Sequence, residues 1–168
     1  MAVVAGAEAG LRAARRATIV QLRAPLLTTR ELEQEARSLV AASPVPVLVS
    51  SRCDVALAAG AAGVNLPERD ISAADARRVL GRSLVGRSVH SIDAAKAAER
   101  DGASYVVFGP VFASASHPQS SPAGLDALGA IARAVRIPVL AIGGVTEERI
   151  QQCLAAGAAG YAAIGLFR

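Results

Sequence analysis

Two histidines, one arginine, one aspartate and a pair of glycines carry most of the chemistry that this chain of 168 residues can offer. His90 lies in Gly86-Arg87-Ser88-Val89-His90-Ser91, at the end of an apolar run. Its imidazole can act as a general acid or base near neutral pH. His117 lies in the stretch Ala113–Ala123. That stretch is rich in hydroxyls, among them Ser114 and Ser116, and is followed by Gly124. A polar loop of this length in a compact domain is more often a ligand loop than filler. Arg23 closes Val20-Gln21-Leu22-Arg23, where a guanidinium either grips an anionic group through a bidentate contact or covers a loop. Gly143-Gly144 follow Pro138-Val139-Leu140-Ala141-Ile142, so bare backbone N–H groups are offered before a helix start. This is either a phosphate cradle or a tight turn. Carboxylates near strand ends are few: Asp54, Glu68 and Asp70. Asp70 is the one whose placement suits a metal, and a single carboxylate makes a poor Mg2+ site without substrate phosphates.

These residues need a scaffold that brings strand ends together. Six apolar runs stop on a glycine, a serine or a charge: Val20–Arg23, Val45–Arg52, Gly63–Asp70, Leu84–Ser91, Tyr105–Phe112 and Pro138–Gly144. Tyr161–Phe167 adds a seventh strand, and an eighth at the front would have to be Ala2–Ala5, followed by a helix over Ala7–Arg16. The other helices are predicted at Thr29–Ala42, Cys53–Ala59, Ser72–Leu80, Ile92–Asp101, Leu125–Val135 and Thr146–Ala156. Thr28, Ser72 and Thr146 stand at helix starts with acidic residues just behind them. Ala59-Gly60-Ala61-Ala62-Gly63-Val64 recurs as Ala156-Gly157-Ala158-Ala159-Gly160-Tyr161, an alanine-rich helix ending on a glycine before the next strand. Strand, helix and short turn in repetition predict one domain over 1–168. Its fold class is α/β, a (β/α)8 TIM barrel, compact or clipped at its ends. Chemistry in such a barrel gathers at the C-terminal ends of the strands. Missing end elements would leave apolar surface, so a homodimer is expected.

Composition narrows the partners. The formal net charge is +4, yet all but one of the 18 cations are arginine, Lys96 being the exception. The arginines are spread along the chain and aromatics are scarce, so a nucleic-acid platform is not expected, whereas affinity for small anions is. No apolar run approaches the ~20 residues of a membrane span. The N-terminus lacks the order of a signal peptide, so a cytoplasmic location is expected. Cys53 and Cys153 stand far apart among aliphatic residues and read as ordinary buried thiols.

Taken in order, VQLR, SSRCDVAL, AAGVNLP, GRSVHS, YVVFGPVF and AIGGVT resemble the thiamine phosphate synthase and TenI superfamily from Val20 to Phe167. The resemblance implies a (β/α)8 barrel, usually dimeric, acting on a small phosphorylated thiazole. The synthase joins a pyrimidine pyrophosphate to thiazole phosphate with Mg2+. On that pattern Arg23, Ser88, His90, Asp70, Gly143 and Gly144 match motif positions. Pro25 replaces a lysine, Ser50-Ser51 replace an Asn-Asp pair, and Ser114, Ser116 and His117 replace two threonines and a lysine. GRSVHS and VNLP are closer to TenI, the thiazole tautomerase branch, although Pro110 stands where that branch has its histidine. The leading expectation is therefore an isomerase, a TenI-like tautomerase that needs no cofactor. Its catalytic residues would be His90 and His117, and Arg23, Ser88, Ser114, Ser116, Gly124, Gly143 and Gly144 would bind substrate. The alternatives are a thiamine phosphate synthase, a transferase with Mg2+ at Asp70, and a regulatory relative that binds the phosphate without chemistry.

Overall fold

The computed structural model describes residues 1–113 and 121–167. Eight parallel strands follow one another in sequence order around a single sheet: β1 (Ala2–Val4), β2 (Val20–Leu22), β3 (Val47–Ser50), β4 (Gly63–Leu66), β5 (Leu84–Val89), β6 (Tyr105–Phe108), β7 (Val139–Ile142) and β8 (Gly160–Ala162). Ala163 bridges Ala2, and the Val3 N–H donates to the Ala163 carbonyl, which brings the last strand back to the first. The expected barrel is present, front strand included. Between the strands lie α1 (Ala7–Ala13), α2 (Thr29–Ala42), α3 (Cys53–Ala59), α4 (Ala73–Leu80), α5 (Ile92–Arg100), α6 (Gly124–Ala134) and α7 (Glu147–Ala155).

Local chemistry explains most boundaries. Thr28 and Glu31 form a reciprocal capping box at the start of α2, and Ser72 and Ser91 accept N–H bonds from Asp75 and Ala94 at the starts of α4 and α5. Thr146 precedes α7 but makes no side-chain cap bond to the backbone. Gly60, in the left-handed region at φ +67, lets α3 stop and the chain turn into β4. Two expected ends are shorter than the sequence suggests. The first helix stops at Ala13, with Ala14–Arg16 as a turn. The last strand stops at Ala162 rather than Phe167. Beyond the Ala163 bridge the chain turns, and Phe167 stacks on Tyr161, ring centroids 6.1 Å apart.

Alternation along each strand makes two apolar regions. Val20, Leu22, Val49, Val64, Leu66, Val85, Val106, Phe108 and Ala141 face the surrounding helices, which cover them. Met1, Val3, Leu48, Tyr105, Val107 and Ala162 fill the barrel interior. Burial pushes the Tyr105 phenol well above its usual pKa, so it stays neutral. Gly86 makes this filling possible. A methyl group there would overlap the Tyr105 ring and come 2.6 Å from Asn65 Oδ1.

Candidate functional site

The same alternation carries the inward-facing side chains of the strands up to a cavity of about 400 Å³ at their C-terminal ends. Its floor is formed by Val3, Gln21, Ser50, Asn65, Ser88, Val107 and Ile142, one position from each of seven strands. Its rim carries Arg23, Pro67, Glu68, His90, Gly109, Pro110, Gly143 and Ile164.

The floor holds the two buried polar side chains of the described residues. Gln21 and Asn65 are each 4% exposed, in a barrel whose interior is otherwise largely apolar. Asn65 Nδ2 donates to Ser88 Oγ at 3.2 Å. Asn65 Oδ1 is buried without any partner. An amide oxygen left unpaired in this way costs stability and asks for a donor. The atom is closed to solvent and lies on the side of Gly86 and Tyr105, whereas the amide nitrogen faces Ser88 nearer the mouth. Ser88 was expected at the site and is there. Gln21, Asn65 and Ile164 are not singled out by the sequence, and Ser50 and Glu68 are named there without a place in the site. The available signal for the first two was a lone amide inside an apolar strand.

At the rim, Arg23 is exposed and, among the described residues, no carboxylate lies within salt-bridge distance of it. Its charge is free to meet an anion. Its backbone N–H is anchored on the Val4 carbonyl. His90 Nδ1 lies 2.6 Å from the Gly109 carbonyl. A carbonyl only accepts, so Nδ1 carries the proton and the lone pair of neutral His90 sits on Nε2. Nε2 is 3.5 Å from Glu68 Oε2, which would pair with the imidazolium once it forms. Glu68 is held there from behind. The Arg87 guanidinium donates to the carbonyls of Glu68, Asp70 and Ile71, fixing the loop after β4.

Asp70 does not line the cavity. One of its oxygens accepts the Ile71 N–H at 2.8 Å, and its charge acts on Cys53 instead. Ser51, at φ +65, brings no carboxylate to the end of β3. Among the described residues no three His, Cys, Asp or Glu side chains come close enough to hold a metal ion. The described residues therefore offer no ready-made donor set for the Mg2+ implied by the synthase resemblance, and Asp70 would hold it only together with substrate phosphates. Cys53 and Cys153 are buried, and desolvation is the main cause that raises both thiols, so neither is activated.

Gly143 and Gly144 sit at φ +92 and +63 after β7. Gly143 lines the cavity and Gly144 lies just behind it. Among the described residues the N–H groups of Gly144 and Val145 donate to no backbone carbonyl. The glycines also leave room. A methyl group on Gly143 would lie 2.6 Å from Pro110, and one on Gly144 would collide with Phe112 and Ala113. Unpaired amides and close approach thus fall on the same residues. Gly124, φ +84, opens α6 and anchors its N–H on the Val111 carbonyl, away from the cavity lining. Ser114, Ser116 and His117 lie outside the described residues.

With this geometry in place, three comparisons bear on the chain. The model of a family described as thiamine monophosphate synthase matches residues 2–167. A thiamine-phosphate synthase of Chloroflexus aurantiacus is 42% identical over 152 residues, covering 88% of this chain and 70% of that protein. One of Methanoculleus marisnigri is 41% identical over 161 residues, covering 93% and 76%. The solved structure of a thiamine phosphate pyrophosphorylase from Pyrococcus furiosus superposes with a TM-score of 0.87 at 31% identity, over 97% of this chain and 84% of that one.

Proposed function

The chain belongs to the thiamine monophosphate synthase family, and on that premise we propose that it is a transferase of thiamine biosynthesis, joining a pyrimidine pyrophosphate to thiazole phosphate. This reverses the order of preference drawn from the sequence, where the isomerase came first. The relatives at about 40% identity carry the synthase name, which supports the transferase. The observation that carries the reading is the polar floor of Gln21, Asn65 and Ser88 beneath a rim that holds Arg23 and Gly143. Amide and hydroxyl groups there suit a flat heterocycle with its own polar edge, such as an amino-substituted pyrimidine.

In this reading the pyrimidine lies on Gln21, Asn65 and Ser88, with its pyrophosphate toward Arg23. The thiazole phosphate rests on the N–H groups of the Gly143-Gly144 turn, where close backbone approach and the start of α7 favour an anion. The thiazole nitrogen forms the new C–N bond to the pyrimidine methylene carbon as the C–O bond breaks and pyrophosphate leaves. Arg23 and the turn amides are the groups this chain provides for the negative charge, and His90, once protonated, adds a second cation at the rim.

A second reading rests on one observation of its own, the tautomer of His90. With Nδ1–H held by Gly109, Nε2 presents a base to the cavity. That is what a thiazole tautomerase would require of His90, or of His117 in the same role. One experiment separates the two. The protein is incubated in deuterated water with thiazole carboxylate phosphate alone, and separately with thiazole phosphate, the pyrimidine pyrophosphate and Mg2+. Thiamine phosphate formed only with both substrates supports the transferase. Ring deuteration and aromatisation without the pyrimidine would replace it with the isomerase, and binding without either reaction would leave only the regulatory relative.

A further inference from the structure

We infer that Arg149 is a positioning residue that locks the Gly143-Gly144 turn to the chain segment controlling His90, so that the anion cradle and the acid–base group are set by one rigid unit. The inference deepens the reading above and rests on it for the identity of the anion. The structural chain is continuous. Arg149, in the first turn of α7, donates from Nη1 to the Gly144 carbonyl at 2.9 Å. Its guanidinium lies over the Phe112 ring, 4.7 Å from the centroid, at cation–π distance. Phe112 in turn donates its N–H to the Gly143 carbonyl at 3.0 Å, and Val111 donates to the Ile142 carbonyl at 2.8 Å. Immediately before them, Gly109 packs so close to Ile142 that a side chain at 109 would overlap the Ile142 carbonyl. The Gly109 carbonyl is the group that holds His90 Nδ1.

Arg149 thus clasps two loops from different strands with one planar group. Holding the Gly144 carbonyl toward α7 fixes which way that peptide unit faces, and with it the direction of the adjoining N–H groups. Stacking on Phe112 holds the other loop against the turn. No second arginine donates to either loop among the described residues. A lysine could donate to Gly144 but could not spread over the Phe112 ring.

The test compares wild type, Arg149→Met and Arg149→Lys by amide hydrogen exchange and by NMR titration with inorganic phosphate. The methionine variant should speed exchange at Phe112 and Val111 by about tenfold or more, since a charge-assisted contact is lost. It should shift the His90 ring signals and weaken phosphate binding by about tenfold. The lysine variant should recover part of each effect in a protein whose melting temperature is close to wild type, and it stands as the readout if the methionine variant does not fold. Unchanged exchange at Phe112 and unchanged His90 signals in either folded variant would overturn the inference. If wild type shows no phosphate-induced shift at Gly143 or Gly144, the cradle reading falls, while the exchange comparison still decides the role of Arg149.

Discussion

Replacing Asn65 with leucine should make the protein more stable and a poorer binder at once. Leucine branches at the same carbon as asparagine, so the side chain keeps its outline between Ser88 and Gly86. The substitution removes the unpaired Oδ1 from a site only 4% exposed. Relieving a buried, unsatisfied acceptor is worth about 1–3 kcal/mol. Against this, the 3.2 Å bond from Nδ2 to Ser88 Oγ is lost, at about 0.5–1.5 kcal/mol net. Ser88 borders the cavity and can turn to water there, so no new orphan is created. The balance is a gain of about 1 kcal/mol, or about 2–4 °C in melting temperature for a domain of this size. A pyrimidine bound on this floor, in contrast, would meet leucine in place of the amide, at a cost of about fivefold or more in affinity. Thermal and urea melts measure the first effect. Calorimetry with an aminopyrimidine pyrophosphate measures the second, with inorganic phosphate as the ligand that should be unaffected. If the variant melts lower than wild type, or binds the pyrimidine equally well, the floor is not a recognition surface and the reasoning fails.

Other outcomes follow from the same structure. Gly86→Ala should lower the melting temperature by several degrees, because overpacking against Tyr105 and Asn65 costs about 1–3 kcal/mol; an unchanged thermal melt would mean the barrel interior yields there. The Arg52 guanidinium, through its hydrogen bonds, holds the Asp54 carboxyl down from 3.8 to about 2. A depressed folded pKa stabilises above the unfolded value and is lost as pH falls, so Asp54→Asn should flatten the acid side of the stability profile between about 4 and 2; the effect is small because the pair is exposed, and a change confined to neutral pH would contradict it. Isothermal titration of the ligand-free protein with Mg2+ should show no micromolar site, since no three metal-ligating side chains cluster among the described residues, and phosphate binding should survive chelator.

Much of the scaffold was legible in the chain. Six runs ending on glycine, serine or charge mark the strands, and Thr28, Ser72 and the repeated alanine-glycine turns mark the helices between them, because capping and left-handed turns are decided by a few neighbouring residues. Arg23, Ser88, His90 and Gly143 were found for the same reason: each lies at or near a strand end, and strand ends in a barrel share one mouth. The sequence did not reveal Gln21 and Asn65, since strands of three or four residues buried on both faces show no polar alternation from which to read which side is inward. It also pointed to Asp70 rather than Glu68, two places apart in one loop, whereas Glu68 is the one that lines the cavity. That choice was made by Arg87, a residue of the next strand, through three backbone carbonyls. The double duty of Gly143 and Gly144, as bare amides and as space for Pro110, Phe112 and Ala113, belongs to the tertiary structure as well. Turn chemistry acts over a few bonds and can be read along the chain, whereas the facing of two loops from different strands exists only once the barrel has brought them together.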